Sequence, residues 1–301
     1  MILYYALGGG LGHLARARAV VHTLGLRNVA MLSASVHLTD RRVIGDAAPL
    51  HAPPELAQNR DAWRAWLGAM LRERDPEAMY IDTFPAGILG ELCGFDWPRP
   101  IPLYHVARAL RWERYAQVLG ERAPRFAGCY VVEELDAGQM EFVQRRSDAV
   151  APLALRYPEA VPPAGLMERI AAIAGAGRPL WLIVHSGPQE EIAELVGYAR
   201  DLAAIEHAAP ALLLVAPAGV AIDAREADMS EVDAPEVERV DCYPAAMLFP
   251  HAARIITGCG FNLMQQTEPY RERHRSIPFP RRYDDQFRRR RMMRDRLTSA
   301  T

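Results

Sequence analysis

The sequence predicts an α/β protein made of two Rossmann-like domains, each a parallel sheet covered by helices. Three observations predict this. Short apolar runs alternate with helical patterns along the chain, the order expected of parallel sheets. A proline-rich stretch, 151–165, divides that alternation into halves at 1–150 and 166–301. A glycine-rich turn stands between strand and helix in each half, at 8–13 and at 258–262.

In chain order, the apolar run Ile2-Leu3-Tyr4-Tyr5-Ala6-Leu7 reads as a buried first strand. It enters Gly8-Gly9-Gly10-Leu11-Gly12-His13, and a helical pattern with Leu14, Ala17, Val21 and Leu24 leaves it. Strand, glycine loop and helix let backbone N–H groups approach an anion or polar ligand closely. The same stretch also reads as a tight turn capped by a polar side chain. The second strand is Val29-Ala30-Met31-Leu32-Ser33. A dinucleotide fingerprint needs a third glycine and an acidic residue ending that strand. His13 stands at the first position and Ser33 and Ser35 at the second, which argues against NAD.

The helix expected over 56–73 carries Trp63, Trp66, Leu67 and Met70 on one side, as a buried face or a membrane contact. A strand over 78–81 ends at Asp82, where open α/β sheets bind ligands. Asp82 equally suits the cap of a helix expected over 87–93. A strand over 101–105 ends at His105, a basic helix is expected over 108–119, and 129–132 closes the first set of strands.

In the second half, the strand Pro179-Leu180-Trp181-Leu182-Ile183-Val184 runs into His185-Ser186-Gly187-Pro188. A helix over 189–204, a strand over 211–216, a polar acidic loop over 217–235 and a short strand over 237–240 follow. A short helix over 243–251 precedes the strand Arg254-Ile255-Ile256-Thr257, which delivers Gly258-Cys259-Gly260-Phe261-Asn262. An arginine-dense helix after Asp284-Asp285-Gln286 ends the chain, and the stretch 271–296 holds eleven arginines against four acids. It suits a solvated helix, an anion site, an acidic partner or a membrane-facing patch.

Composition excludes several classes. The 301 residues carry 35 basic and 37 acidic side chains, a net charge of −2, so no general attraction to nucleic acid is expected. Every basic residue is arginine, which rules out Schiff-base and Walker-type lysines. Cys93, Cys129, Cys242 and Cys259 are too dispersed for a disulfide framework or zinc site. No apolar run reaches membrane-spanning length and no basic leader opens the chain, so a cytoplasmic protein is expected.

Taken together, these loops resemble the GT-B glycosyltransferases, in particular those that add N-acetylglucosamine to lipid-linked peptidoglycan precursors. The 8–13 loop resembles that family's GGxGGH loop, and 185–189 resembles the first loop of its donor domain. The run from Arg254 through 258–262 to Glu268 resembles its nucleotide-holding strand, turn and glutamate. Pro278-Phe279 and Asp284-Asp285-Gln286 resemble its apolar-proline segment and glutamine-containing sugar contact.

The resemblance implies two domains facing each other across a cleft, an acceptor side at 1–150 and a nucleotide-sugar side at 166–301. It implies metal-independent, inverting transfer from a nucleotide-sugar donor, a UDP-sugar, to a lipid-linked or small-molecule acceptor, with no cofactor. The setting implied is a bacterial cytoplasm, with peripheral contact at the inner membrane face left open. His13 is the implied base, with Asp82 or His105 orienting or replacing it. The donor contacts are Gly10, Gly12, Ser186, Gly187, Gly258, Cys259, Gly260, Phe261, Asn262, Glu268, Asp285 and Gln286. Glu268 would hold ribose hydroxyls, and Asp285 and Gln286 the sugar; a solvated carboxylate and a helix cap are their alternatives. Leu11 and Cys259 depart from the family pattern, and the family usually continues further beyond Gln286. A nucleotide-sugar hydrolase and a non-catalytic nucleotide-sugar binder remain the competing functions; an epimerase would want more carboxylates.

Overall fold

The computed structural model describes residues 1–56, 58–120, 122–217 and 237–298, with side chains to Asp295. The chain forms two compact units. One comprises Met1–Pro158 with Arg281–Asp285, the other Glu159–Pro280 with Gln286–Thr301. Five residues near the chain end thus belong to the first unit, flanked on both sides by chain of the second.

The first unit holds β1 (Ile2–Tyr5), α1 (Leu11–Leu24), β2 (Val29–Ser33), α2 (Arg41–Ile44), β3 (Ala48–His51), α3 (Arg60–Arg74) and β4 (Ala78–Asp82). It continues with β5 (Leu103–Ala107), α4 (Trp112–Tyr115), β6 (Gly128–Val131), α5 (Ala137–Arg146) and β7 (Val150–Pro152). Its seven strands are all parallel, in the order β3-β2-β1-β4-β5-β6-β7. Tyr5 stands opposite Ile81 in register, so the β1 and β4 chain ends leave the sheet side by side.

The second unit holds α6 (Leu166–Gly175), β8 (Leu180–Val184), α7 (Gln189–Ile205), β9 (Ala211–Val215), β10 (Val237–Val240), β11 (Arg254–Gly258), α8 (Phe261–Gln266), β12 (His274–Ile277) and α9 (Gln286–Thr298). The parallel order is β10-β9-β8-β11-β12. Here Thr257 pairs with Val184, so the chain exits of β8 and β11 are neighbours.

Strand order reverses between β1 and β4 in one sheet and between β8 and β11 in the other. Such switch points open a crevice at the carboxyl ends, because the flanking connections depart to opposite faces. The 8–13 loop and Asp82 share the first switch point; the 185–187 and 258–262 loops share the second.

The central strands β2, β8 and β9 are buried along their whole length, which is why each is a nearly continuous apolar run. One face of the first sheet packs Leu3, Tyr5, Met79 and Ile81 against Trp63, Leu67 and Met70 of α3. Trp63 is therefore core, and its indole N–H donates to Tyr5 Oη at 2.8 Å. The second sheet is covered by Ile192, Leu195 and Ala199 of α7 on one face and Leu166 and Ile170 of α6 on the other.

Two expected helices are corrected. Over 87–93 the chain makes tight turns: Gly87, Gly90 and Gly94 hold φ of +81°, +71° and +56°, which a helix does not contain. Over 108–119 only Trp112–Tyr115 is α-helical, followed by a 3₁₀ turn at Ala116–Val118. Its first residues are drawn away because Arg111 N–H donates to Tyr283 O at 2.7 Å and the Arg108 side chain is buried. Strands β3 and β7, at the two sheet edges, were not expected; each contains a proline, which an edge tolerates. Helices α5 and α6 were also not expected. The acidic loop expected over 217–235 lies, apart from Pro217, outside the described residues.

Candidate active site

Gly10 caps α1 in an extended conformation, so His13 lies in the first turn of the helix. Its ring lies over Gly8: a Cβ built on Gly8 would stand 2.3 Å from His13 Cδ2 and 2.6 Å from Nε2. Glycine at position 8 is what lets the imidazole fold back against the loop. At Gly9 and Gly10 a Cβ would meet nothing within 4 Å, so those positions open onto free space.

Across the switch point, Asp82 ends β4 fully buried, its Oδ2 2.7 Å from His13 Nδ1. Arg16, one helical turn beyond His13, donates from Nε to Asp82 Oδ1 at 2.7 Å and from Nη2 to Oδ2. Arg16 Nη2 also donates to Thr83 Oγ1 at 2.6 Å. Asp82 therefore caps no helix; its two oxygens serve a histidine and a fork of guanidinium donors.

Thr83 has φ +64°, and Phe84 N–H closes onto Asp82 C=O at 2.6 Å, a three-residue turn. A non-glycine residue held there costs on the order of 1–3 kcal/mol and is maintained by its surroundings. The turn aims the Thr83 hydroxyl between Arg16 and Arg108, whose Nε donates to it at 3.2 Å. Phe84 stands 5.9 Å from the His13 ring, centroid to centroid.

Burial opposes the charge on Asp82, but Arg16 beside it and hydrogen bonds from His13 and Arg16 hold its carboxyl well below the usual range. Burial lowers the His13 pKa below its ordinary value; Asp82 works against this, while Arg16 and Arg108 add to the lowering. The ring is then neutral near pH 7. With an ionised carboxylate at Nδ1 that nitrogen carries the proton, and Nε2 is left as the acceptor. The side chain is 18% exposed.

His105 is a correction. It lies fully buried in β5, its ring packs on Phe126 at 5.3 Å, and Nδ1 donates to Ile81 O at 3.1 Å. Burial pushes its pKa down to about 4. It bonds neither His13 nor Asp82 and reaches no surface, so it is a core histidine and not a catalytic one.

In the second unit, His185 directly follows β8 and its Nε2 lies 2.7 Å from Glu191 Oε2, in the first turn of α7. Its ring is enclosed by two glycines: a Cβ on Gly187 would stand 2.4 Å from Nε2, and one on Gly258 3.1 Å from Cε1. Phe279 packs against it at 5.4 Å. The His185 ring thus joins the Ser186–Gly187 turn to the Gly258 turn, a link not expected from the sequence.

The remaining donor candidates divide. Ser186 is exposed and Gly187, Gly260 and Asn262 are half-buried, and a Cβ on Gly260 would meet nothing within 4 Å. Phe261 is buried at the start of α8. Cys259 is buried, its N–H donates to Ile277 O at 3.1 Å, and its carbonyl accepts from Arg289 Nη1 at 2.8 Å. It therefore braces the loop and has no backbone donor to offer a ligand. Glu268 opens a 3₁₀ turn, 62% exposed, 3.3 Å from Arg271. Asp285 is half-buried, while Gln286 is buried and its Oε1 accepts from Phe279 N–H at 3.0 Å. Gln286 holds the Pro278-Phe279 turn against the start of α9.

Arg16, Thr83, Arg108 and Glu191 were not expected in the site, and His185 was expected only as part of the 185–189 loop. Arg16 alone carried a local signal, since it lies three residues beyond His13 on one helix face.

No protein-family description matches the chain, and no curated protein sequence does. Solved structures do. The chain is similar to the S. aureus MnaA–UDP co-structure, with a TM-score of 0.57 and 11% identity over 90% of this chain and 76% of that one. It is similar to a UGT transferase from Siraitia grosvenorii in complex with UDP, at 0.56 and 11% over 94% and 81%. The spinosyn rhamnosyltransferase SpnG complexed with thymidine diphosphate matches at 0.51 and 12% over 93% and 81%. The likeness is one of fold: two parallel-sheet domains of the GT-B architecture that the sequence motifs resemble.

Proposed function

We propose that this protein is a glycosyltransferase that moves a sugar from a nucleoside diphosphate donor, a UDP-sugar, to an acceptor hydroxyl. The observation that carries the reading is the His13–Asp82 pair at the first switch point, 2.7 Å apart, with Nε2 as the free base atom. A non-catalytic binder has no use for a neutral histidine oriented by a buried carboxylate. Its fold relatives with bound UDP and thymidine diphosphate support the donor class.

In this reading the acceptor O–H gives its proton to His13 Nε2 while its oxygen attacks the anomeric carbon. The bond from that carbon to the diphosphate oxygen breaks, and the nucleoside diphosphate leaves with the electron pair. Attack opposite the leaving group inverts the anomeric centre. Asp82 holds the tautomer and stabilises the imidazolium that forms, as a carboxylate does for a general base. The diphosphate rests on the turns at Ser186–Gly187 and Gly260–Asn262, whose N–H groups offset its charge without a metal ion. Glu268 takes the ribose hydroxyls, and Asp285 the sugar.

Incubation with a panel of nucleotide sugars tests this. Nucleotide release stimulated by an acceptor is expected, and rapid release without one would instead make the protein a hydrolase. UDP should raise the melting temperature more than GDP or TDP, because binding to the folded state alone stabilises it. If no nucleoside diphosphate shifts the melting temperature, the reading fails.

Among the described residues no helix is long and apolar enough to cross a membrane. A lipid-linked or small-molecule acceptor completes the proposal, and co-sedimentation with anionic vesicles tests the lipid-linked one.

A further inference from the structure

The residues that support His13 do not end at Asp82. Thr83 Oγ1 takes hydrogen bonds from Arg16 and from Arg108, and Arg108 Nη1 pairs with Asp284. Both members of that last pair are withdrawn from solvent, with side chains 8% and 15% exposed. Asp284 belongs to Arg281–Asp285, the five residues that the chain end contributes to the first unit. The same segment is fastened by Arg111, whose N–H donates to Tyr283 O at 2.7 Å and whose Nη1 donates to Arg281 O at 3.3 Å. Tyr283 is buried with Phe84 and Tyr115, its ring 5.7 Å edge-on from Phe84, which itself lies against His13.

Two routes therefore run from this segment to the histidine. One is polar, from Asp284 through Arg108 and Thr83 to Asp82. The other is aromatic, from Tyr283 through Phe84 to the His13 ring. A largely buried arginine is costly to leave without its carboxylate, so Asp284 holds Arg108 where its Nε reaches Thr83. Thr83 sits in a strained turn that its neighbours must hold, and that turn sets where Asp82 points.

We propose that Asp284 is a positioning residue for His13, acting through Arg108 and Thr83, so that the base is set only when Arg281–Asp285 is docked. The next residues, Asp285 and Gln286, are the ones assigned to the donor sugar and to the Phe279 turn. This role of Asp284 rests on the transferase reading for its functional meaning, but its structural claim stands on the first unit alone.

The experiment compares the parent protein with Asp284→Asn and Asp284→Glu. The readouts are turnover of the nucleotide sugar identified by the panel and the NMR titration of the His13 Cε1–H signal, assigned by its loss in His13→Gln. Asp284→Asn is expected to lower kcat by about tenfold or more, since small displacements of catalytic groups carry losses up to about a hundredfold. KM for the donor should stay within about twofold, the signature of a lost transition-state contact. The charged groups bearing on His13 are Asp82, Arg16 and Arg108. With the Asp284 charge removed from beside Arg108, the His13 midpoint should move further down. Asp284→Glu should restore both readouts in part. Should Asp284→Asn fail to fold, Arg108→Lys keeps the charge beside Asp284 but cannot serve Thr83 and Asp284 together, and the fall in kcat at unchanged KM is expected without a large move of the His13 midpoint. Parental kcat and an unmoved His13 signal in the variant would overturn the proposal. A parent without turnover on any nucleotide sugar sinks the transferase reading, while the His13 titration still decides the role of Asp284.

Discussion

The ring of His13 occupies the space where Gly8 would carry a side chain: a Cβ at position 8 would come within 2.3 Å of the imidazole. Gly8→Ala must therefore displace the ring or the loop. Overpacking of this kind costs about 1–3 kcal/mol. We expect turnover to fall at least tenfold while the UDP-induced melting shift is kept, because the nucleotide is assigned to the other unit. A fully active Gly8→Ala protein would remove His13 from the chemistry.

His13→Ala should lower kcat by about 10²- to 10⁴-fold, the usual contribution of a general base. UDP should still raise the melting temperature of this variant. Loss of both turnover and the UDP shift would reassign His13 to structure.

Asp82→Ala leaves Arg16 buried with its main anionic partner gone. Removing one member of a buried pair costs about 3–5 kcal/mol, so a much lower denaturation midpoint is expected. Arg16→Met with Asp82→Ala should recover a large part of that loss. An Asp82→Ala midpoint equal to the parent's would show the pair to be solvated.

Turnover should show an acid limb below the ordinary histidine pKa of about 6.5, because burial lowers the His13 value. Below that pKa the base is protonated and kcat declines. A limb above pH 7 contradicts the neutral-histidine assignment.

Stability has its own pH dependence. His105 and His274 are buried, and burial pushes each down to about 4. His274 is held between Thr257 and Thr267, at 2.8 and 3.0 Å. A lowered folded pKa means that the unfolded chain binds protons first as pH falls. Their contribution is complete above about pH 6.5 and is lost progressively down to about pH 4. The urea midpoint should therefore drop between pH 7 and pH 5. Buried Glu91, whose carboxyl is raised by burial, acts in the opposite direction and reduces the drop. His105→Phe should lessen the drop, and an unchanged dependence in that variant would mean that His105 takes up its proton alike in the folded and unfolded states.

Much of the architecture was written locally. The buried strands β1, β2, β8 and β9 are apolar runs because a parallel sheet buries both faces, and glycine marks the loops that leave them. Asp82 and both glycine loops could be named for the same reason, since each stands at the carboxyl end of a strand, and His13 was named as the polar residue of the helix turn that the first loop opens. The edge strands β3 and β7 were illegible because they are short, exposed and carry proline.

By itself, then, the sequence determined the alternation, the parallel sheets and the residues that stand at their carboxyl ends. Only the tertiary structure decided which of those residues meet. The crossover that places β4 beside β1 brings Asp82 to His13 from 69 positions away. The same sheet buries His105, one strand further, as core. The chain end returns Asp284 to Arg108 across 176 positions. Local pattern encodes burial and period, whereas strand order and the pairing of distant charges arise from packing, which no short window of sequence contains.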